Sequence, residues 1–233
     1  MPVPAAEQPI GVVTGLTGER RVVEGVPGLL ARCDGPGAEK AEAAARGLLE
    51  AGARALVSAG ICGALDPALR PGDVILPTRV VNRHDDGESW LVDAAWHAAV
   101  MAAAPSGTAY NTGALLGSDR AVGSLSGKHH LAARTGAVAV DMESHAVARV
   151  AAEARVPFLV VRAVADTAGD TLPPWLAGVL NRDGSPNAAV AARRILLGPW
   201  RLPTLIRLAR RNAAAEASLA EACRAVCPSG PGT

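Results

Sequence analysis

The chain has 233 residues, 49% of them hydrophobic and only 3% aromatic, with a formal net charge of +1. That length suits one α/β domain over residues 1–227, with a core built from Val, Leu, Ile and Ala, and the near-neutral charge excludes a general attraction to nucleic acid. No basic start leads into an apolar stretch, and no run of about 20 apolar residues occurs, so neither a secretory leader nor a membrane span is expected and the expected compartment is the cytoplasm.

In chain order, Ile10-Gly11-Val12-Val13 reads as a short buried strand that runs into a glycine loop, Thr14-Gly15-Leu16-Thr17-Gly18. Residues 38–51, rich in Ala, Glu and Leu, read as a helix stopped by Gly52. Residues 55–58 form the next strand, which ends in a loop over 59–65. Asp66-Pro67 and Pro71-Gly72 mark turns before a strand over 73–81, and 84–89 is a polar loop. A helix over 92–103 and a strand over 112–116 follow, the strand ending at Gly117-Ser118-Asp119. The stretch 123–129 reads as a turn, with His129-His130 beside Lys128 as a solvated basic corner. A strand over 138–142, a helix from Glu143 to about 154 and a strand over 158–164 come next. After Pro173-Pro174 the pattern is helical over 187–197 and 202–227, and the tail 228–233 is expected to be disordered. Strands alternating with helices imply a three-layer α/β fold: a mainly parallel, mixed sheet with helices on both faces.

Several familiar motifs fail on spacing. Gly123-Ser124-Leu125-Ser126-Gly127-Lys128 has one residue too few between its glycines for a phosphate loop, and no Ser or Thr follows the lysine. Gly60-Ile61-Cys62-Gly63 lacks the spacing of a dinucleotide fingerprint, and no Gly-x-Ser-x-Gly elbow exists. Cys33, Cys62, Cys223 and Cys227 lack metal-site spacing and read as reduced and structural, so no metal is expected.

Acids at strand ends carry the functional signal. Asp141-Met142-Glu143-Ser144 follows the apolar run Val138-Ala139-Val140, and Asp166 follows Phe158-Leu159-Val160-Val161-Arg162-Ala163-Val164-Ala165. In an open α/β sheet, ligands bind outside the carboxyl ends of the strands. Each acid has a structural reading of its own: Glu143 as a helix N-terminal acid, Asp166 as a cap, Glu19 as a surface residue paired with Arg20 or Arg21. Their joint placement on one rim points instead to an active site, in which one acid holds a polyol and another protonates a leaving group.

These residues resemble the nucleoside phosphorylases and nucleosidases. The likeness rests on residues 58–65, on Pro71-Gly72-Asp73-Val74, on Gly117-Ser118-Asp119, on Asp141-Met142-Glu143-Ser144 and on Arg162 to Asp166, in that order. Within that group the chain is most similar to methylthioadenosine/S-adenosylhomocysteine nucleosidases and to hopanoid-associated phosphorylases. The latter likeness rests on Thr14-Gly15-Leu16, on residues 139–145 and on the stretch from Leu172 to Arg210. The resemblance implies cleavage of an adenine nucleoside with a bulky 5′ substituent, adenosylhopane above all, giving ribosylhopane or phosphoribosylhopane. It implies roles for single residues. Asp166 is the acid that protonates purine N7, Glu143 binds both ribose hydroxyls, and Met142 packs on the sugar. Ala121 and Val122 hold the base, with no aromatic where the family has one. Glu19 activates water, and Gly15, Gly60, Ile61, Cys62 and Gly63 form the loop for water or an anion.

The acceptor stays open. Glu19 and Ile61 favour water, because nucleosidases keep a carboxylate at the first position and an isoleucine cannot bond a phosphate oxygen; the hopanoid-associated subgroup implies phosphate. The resemblance also implies a homo-oligomer and no cofactor, with phosphate as the alternative co-substrate. Methylthioadenosine or S-adenosylhomocysteine is the alternative substrate, and a catalytically silent nucleoside- or lipid-binding protein is the non-enzymatic alternative. Residues 195–211 mix Trp200 and leucines with arginines, which fits a helix packed on the sheet, an oligomer contact, or peripheral contact with the inner face of a membrane.

Overall fold

The computed structural model describes residues 9–82, 88–104, 110–176 and 178–226. Most of the expected 84–89 loop, Cys227 and the 228–233 tail lie outside them. Ten strands form a single sheet: β1 (Ile10–Val13), β2 (Leu29–Arg32), β3 (Ala55–Ala64), β4 (Val74–Ile75), β5 (Arg79–Asn82), β6 (Ser89–Leu91), β7 (Tyr110–Asn111), β8 (Leu115–Gly117), β9 (Ala139–Asp141) and β10 (Phe158–Asp166). The helices are α1 (Thr17–Glu24), α2 (Ala38–Glu50), α3 (Ala94–Ala102), α4 (Leu125–Thr135), α5 (Ser144–Ala154), α6 (Ala188–Leu196) and α7 (Leu202–Val226).

β3 and β10 are the central pair. They run parallel along nearly their whole length, from Phe158 beside Leu56 to Asp166 beside Gly63. Their residues are almost continuously buried, as expected of strands covered on both faces. α7 packs over β10, β3 and β4 and against α1, while α2 and α5 pack together across β1 and β3. The inward stripe of α7 is Ala215, Leu219, Ala222, Cys223 and Val226, a helical spacing that presents one apolar face.

The edge of β3 opposite β10 is shared by two strands. β1 occupies it from Ala55 to Ser58, in parallel. β9 occupies it at Gly63 and Ala64, antiparallel, and leads on through β8 and β5 to β6. Between Ser58 and Gly63 the ladder is interrupted, and the backbone there needs another partner.

The three-layer α/β expectation holds, and most element placements hold with it. The expected loop 59–65 is a correction: residues 59–64 are the second half of β3, so the chain continues straight through both glycines and leaves the strand only at Leu65. The expected strand 73–81 is two short strands, β4 and β5, that pair in different parts of the sheet. Residues 123–129 are not a turn but the start of α4, capped by Ser124, whose hydroxyl accepts the Gly127 N–H at 3.1 Å.

Candidate active site

The interruption on β3 is filled by a side chain. Only three residues separate α1 from the end of β1, and the helix delivers Glu19 to the gap. Glu19 Oε1 accepts the Ile61 N–H at 2.8 Å, and Oε2 accepts the N–H groups of Gly15 at 2.9 Å and Leu16 at 2.8 Å. The residue is 2% exposed, so it is no surface partner of Arg20 or Arg21; Arg20 instead pairs with Glu24. Burial pushes the Glu19 carboxyl up to about 7, with the Arg162 guanidinium opposing the rise and the Glu143 charge adding to it.

The glycines of β3 are explained by the same crowding. A Cβ on Gly60 would sit 2.5 Å from Arg162 Nη1 and 2.7 Å from Glu19 Oε1. A Cβ on Gly63 would lie 3.1 Å from Asp166 Oδ2. A Cβ on Gly15 would lie 2.9 Å from Glu143 Oε1. Three carboxylates thus close on β3 and its neighbouring loop because the backbone there carries no side chain.

Arg162, on β10, is fully buried and ties the carboxylates together. Its Nη2 lies 2.7 Å from both Asp141 Oδ2 and the Ser58 hydroxyl, and its Nη1 donates to the Ile61 carbonyl at 3.3 Å and lies 3.5 Å from Glu143 Oε2. Asp141 accepts the Ser144 hydroxyl at 2.5 Å and the Ser144 N–H at 3.1 Å, which fixes the start of α5. Glu143, at the N-cap of α5, accepts the Gly37 N–H at 3.0 Å. Burial raises its affinity for a proton, against the pull of Arg162 and with the push of Asp141. A charge set this deeply buried persists only because its members compensate one another.

Asp166 ends β10, and Lys128 Nζ from α4 donates to its Oδ2 and, at 2.6 Å, to the Thr167 carbonyl. Lys128 is wholly buried, which corrects the solvated-corner reading; only His129 and His130 of that trio are exposed. Burial pushes the Asp166 carboxyl up while the Lys128 ammonium pulls it back. Farther out, Asp170 accepts from the Thr167 hydroxyl at 2.6 Å and pairs with Arg211 of α7 at 2.5 Å.

These groups border one cavity of about 260 Å³. Glu19, Glu143, Asp166, Met142, Ala121, Val122, Gly15, Ile61, Cys62 and Gly63 all line it; Gly60 does not, and packs instead against the side chains of Arg162 and Glu19. Cys62 is buried, and burial pushes its thiol far up, so it is no nucleophile. Pro36, Leu172 and Leu180 add an apolar rim that sequence reading did not place, and Arg120 also lines the cavity. Leu172 is held by its N–H to the Gly123 carbonyl at 2.9 Å, and the 178–187 turn is tied to the Glu19 loop through the Thr17 N–H and the Gly184 carbonyl at 3.4 Å. The motif glycine Gly117 faces His145, whose Nε2 lies 3.0 Å from Asp119 Oδ1, so the Gly-Ser-Asp and Asp-Met-Glu-Ser-His stretches pack on each other.

Residues 4–198 match the Phosphorylase superfamily. The chain belongs to that superfamily. It is an enzyme of the phosphorylase type. No curated protein matches the sequence. Among solved structures, the superfamily member is similar to the 5′-methylthioadenosine/S-adenosylhomocysteine nucleosidase of Neisseria meningitidis, with a TM-score of 0.72 and 19% identity over 94% of this chain and 98% of that one. It is similar to the Helicobacter pylori methylthioadenosine/S-adenosylhomocysteine nucleosidase, with a TM-score of 0.74 and 17% identity over 95% and 98%. The Helicobacter pylori futalosine hydrolase gives a TM-score of 0.72 and 16% identity over 94% and 97%. At these identities the likeness is one of fold.

Proposed function

We propose that this phosphorylase-superfamily enzyme hydrolyses the N-glycosidic bond of an adenine nucleoside with a bulky 5′ substituent, adenosylhopane, releasing adenine and ribosylhopane in hopanoid biosynthesis without a cofactor. The observation that carries the reading is the convergence of three carboxylates with different surroundings on one cavity. Groups whose environments hold protons differently divide acid and base work between them.

Asp166, with Oδ2 engaged by Lys128, presents Oδ1 to purine N7 and delivers the proton that makes adenine a neutral leaving group. Glu143, held by Gly37 and opposed by Arg162, accepts hydrogen bonds from the cis-diol of the ribose and fixes the sugar as its C1′ gains positive charge. Met142 packs on the sugar, and Ala121 with Val122 borders the base. Glu19, with a proton affinity near neutrality, takes the proton from the attacking water.

Water is favoured over phosphate by how the amides are used. The N–H groups of Gly15, Leu16 and Ile61 already serve Glu19, and Arg162 already serves Asp141 and Glu143. A phosphate dianion placed against these amides would meet the Glu19 carboxylate, while the cation Arg120 lines the cavity outside this set. The cavity is small for a drug-sized ligand, so it takes the nucleoside head and leaves a long 5′ group to pass the apolar rim of Pro36, Leu172 and Leu180. A homo-oligomer is the proposed assembly. Cleavage of methylthioadenosine or S-adenosylhomocysteine is the second reading, favoured by the fold shared with nucleosidases of those substrates.

The deciding experiment incubates the protein with adenosylhopane and with methylthioadenosine, each with and without phosphate, and weighs the sugar product by mass spectrometry. Adenine and a free sugar from adenosylhopane, at a rate indifferent to phosphate, are expected. A sugar phosphate would overturn hydrolysis, and turnover of methylthioadenosine alone would establish the second reading.

A further inference from the structure

The C-terminal third carries a surface feature that the catalytic reading does not use. Between Asp183 and Glu216 the chain has no acidic residue and six arginines. In the same stretch, large apolar side chains stand in the open: Leu196 is 81% exposed, Trp200 74% and Leu197 64%. Leu202 and Ile206 extend the patch onto α7, where Leu202, Ile206 and Arg210 follow at four-residue intervals and therefore share one helix face. Leu205 and Leu208, on the inner side, are half-buried. The helix is thus amphipathic in an unusual sense, with a covered apolar side and an outer side of apolar residues ringed by arginine.

Large apolar side chains this exposed and this close along the chain mark an interaction site. Its chemistry selects the occupant. Two copies of this chain joined through the same patch would bring like charges together, because a two-fold interface sets a surface against itself. A nucleic acid would take the arginines and leave the leucines wet. A sheet of anionic lipid satisfies both: the leucines and Trp200 enter the headgroup–acyl boundary while Arg193, Arg207 and Arg210 remain among the headgroups. No described helix is long and apolar enough to cross a membrane, so the contact would lie in the surface plane.

The patch is joined to the active-site rim. Arg201 sits 5.5 Å over the ring of Trp175, three residues beyond the cavity residue Leu172. Arg211 pairs with Asp170, four residues beyond Asp166. We propose that the surface made by the end of α6, the 199–201 turn and the start of α7 docks the enzyme onto anionic membranes, with the cavity rim held beside the lipid. This goes beyond the catalytic reading, and its test measures binding in the absence of any substrate.

The test is flotation of the full chain with phosphatidylcholine vesicles, with and without phosphatidylglycerol, for the wild type, a Leu197→Glu/Trp200→Glu variant and an Arg193→Glu/Arg207→Glu variant. The wild type is expected to float with the anionic vesicles only, and each variant to lose about tenfold or more of that binding while keeping wild-type far-ultraviolet circular dichroism and melting temperature. Wild type that stays with the soluble fraction in both lipids overturns the proposal. So do variants that float as well as wild type. A Leu197→Glu/Trp200→Glu variant whose assembly mass in solution falls would make the patch a contact between copies, which also overturns it. Should the variants prove unstable, salt titration of wild-type flotation replaces them: binding that does not weaken with salt refutes the anionic occupant.

Discussion

Replacing Glu19 by glutamine separates its cost to the fold from its use in catalysis. Glutamine keeps the shape and mimics the protonated acid. In the folded protein the carboxyl is pushed from its ordinary 4.5 up to about 7, mainly by burial. An acid whose proton affinity rises on folding contributes stability that is full below its unfolded value and is lost as pH rises through its folded value. At about 1.4 kcal/mol per pH unit, the whole effect is about 3 kcal/mol, of which about 2 kcal/mol falls between about pH 5.5 and about pH 8. The wild type should therefore lose about 2 kcal/mol of stability relative to Glu19→Gln over that interval. Removing the charge also removes its repulsion of Glu143, which acts in the same direction. Urea denaturation of both proteins at the two pH values measures the difference. A stability gap that does not change with pH would refute the claim that Glu19 is buried with a raised proton affinity. The same variant should lose about a hundredfold or more in turnover if glutamate takes the proton from water.

Three further outcomes are expected. Asp166→Asn should abolish adenine release, by about a hundredfold or more, with an unchanged circular dichroism spectrum; full activity would remove the assigned acid. Lys128→Met should cost about 3 kcal/mol in urea denaturation, because it leaves Asp166 buried without its cation. It should also push the Asp166 carboxyl further up, so the loss grows as pH rises, and a loss that is flat in pH would contradict this. Gly60→Ala should cut kcat, with adenine release followed by absorbance, since the added Cβ meets Arg162 and Glu19 at under 3 Å; a wild-type rate would show that the wall can yield.

The acids were legible because they follow apolar, β-branched runs, and such runs end at the rim of an α/β sheet. Asp166 and Glu143 announce themselves in this way, whereas Glu19 follows no such run and is placed only by the resemblance to nucleosidases. Gly60 and Gly63 misled, because glycine is depleted in strands and ordinarily signals a turn. Here it stays in the strand, where the missing Cβ makes room for Arg162, Glu19 and Asp166. Lys128 misled for a different reason. Its two histidine neighbours are exposed, and its partner Asp166 is remote in sequence, so only tertiary packing shows the ammonium turned inward. The Ser124 cap was the local sign of α4, three residues before Gly127. The 172–187 excursion has no periodicity to read, and its contribution to the cavity rim rests on backbone bonds to Gly123 and Thr17.

The break in pairing along β3 has a consequence for how this protein can change over generations. The side chain that would serve a passing water molecule also stands in for an absent strand partner at Ile61, and it accepts the N–H groups of Gly15 and Leu16 in the adjoining loop. A descendant freed from any need to turn over nucleosides would still be under pressure to keep an acceptor at position 19. Retention of that glutamate among relatives is therefore poor testimony to activity, and a better witness is Asp166, whose oxygens mend no gap in the sheet.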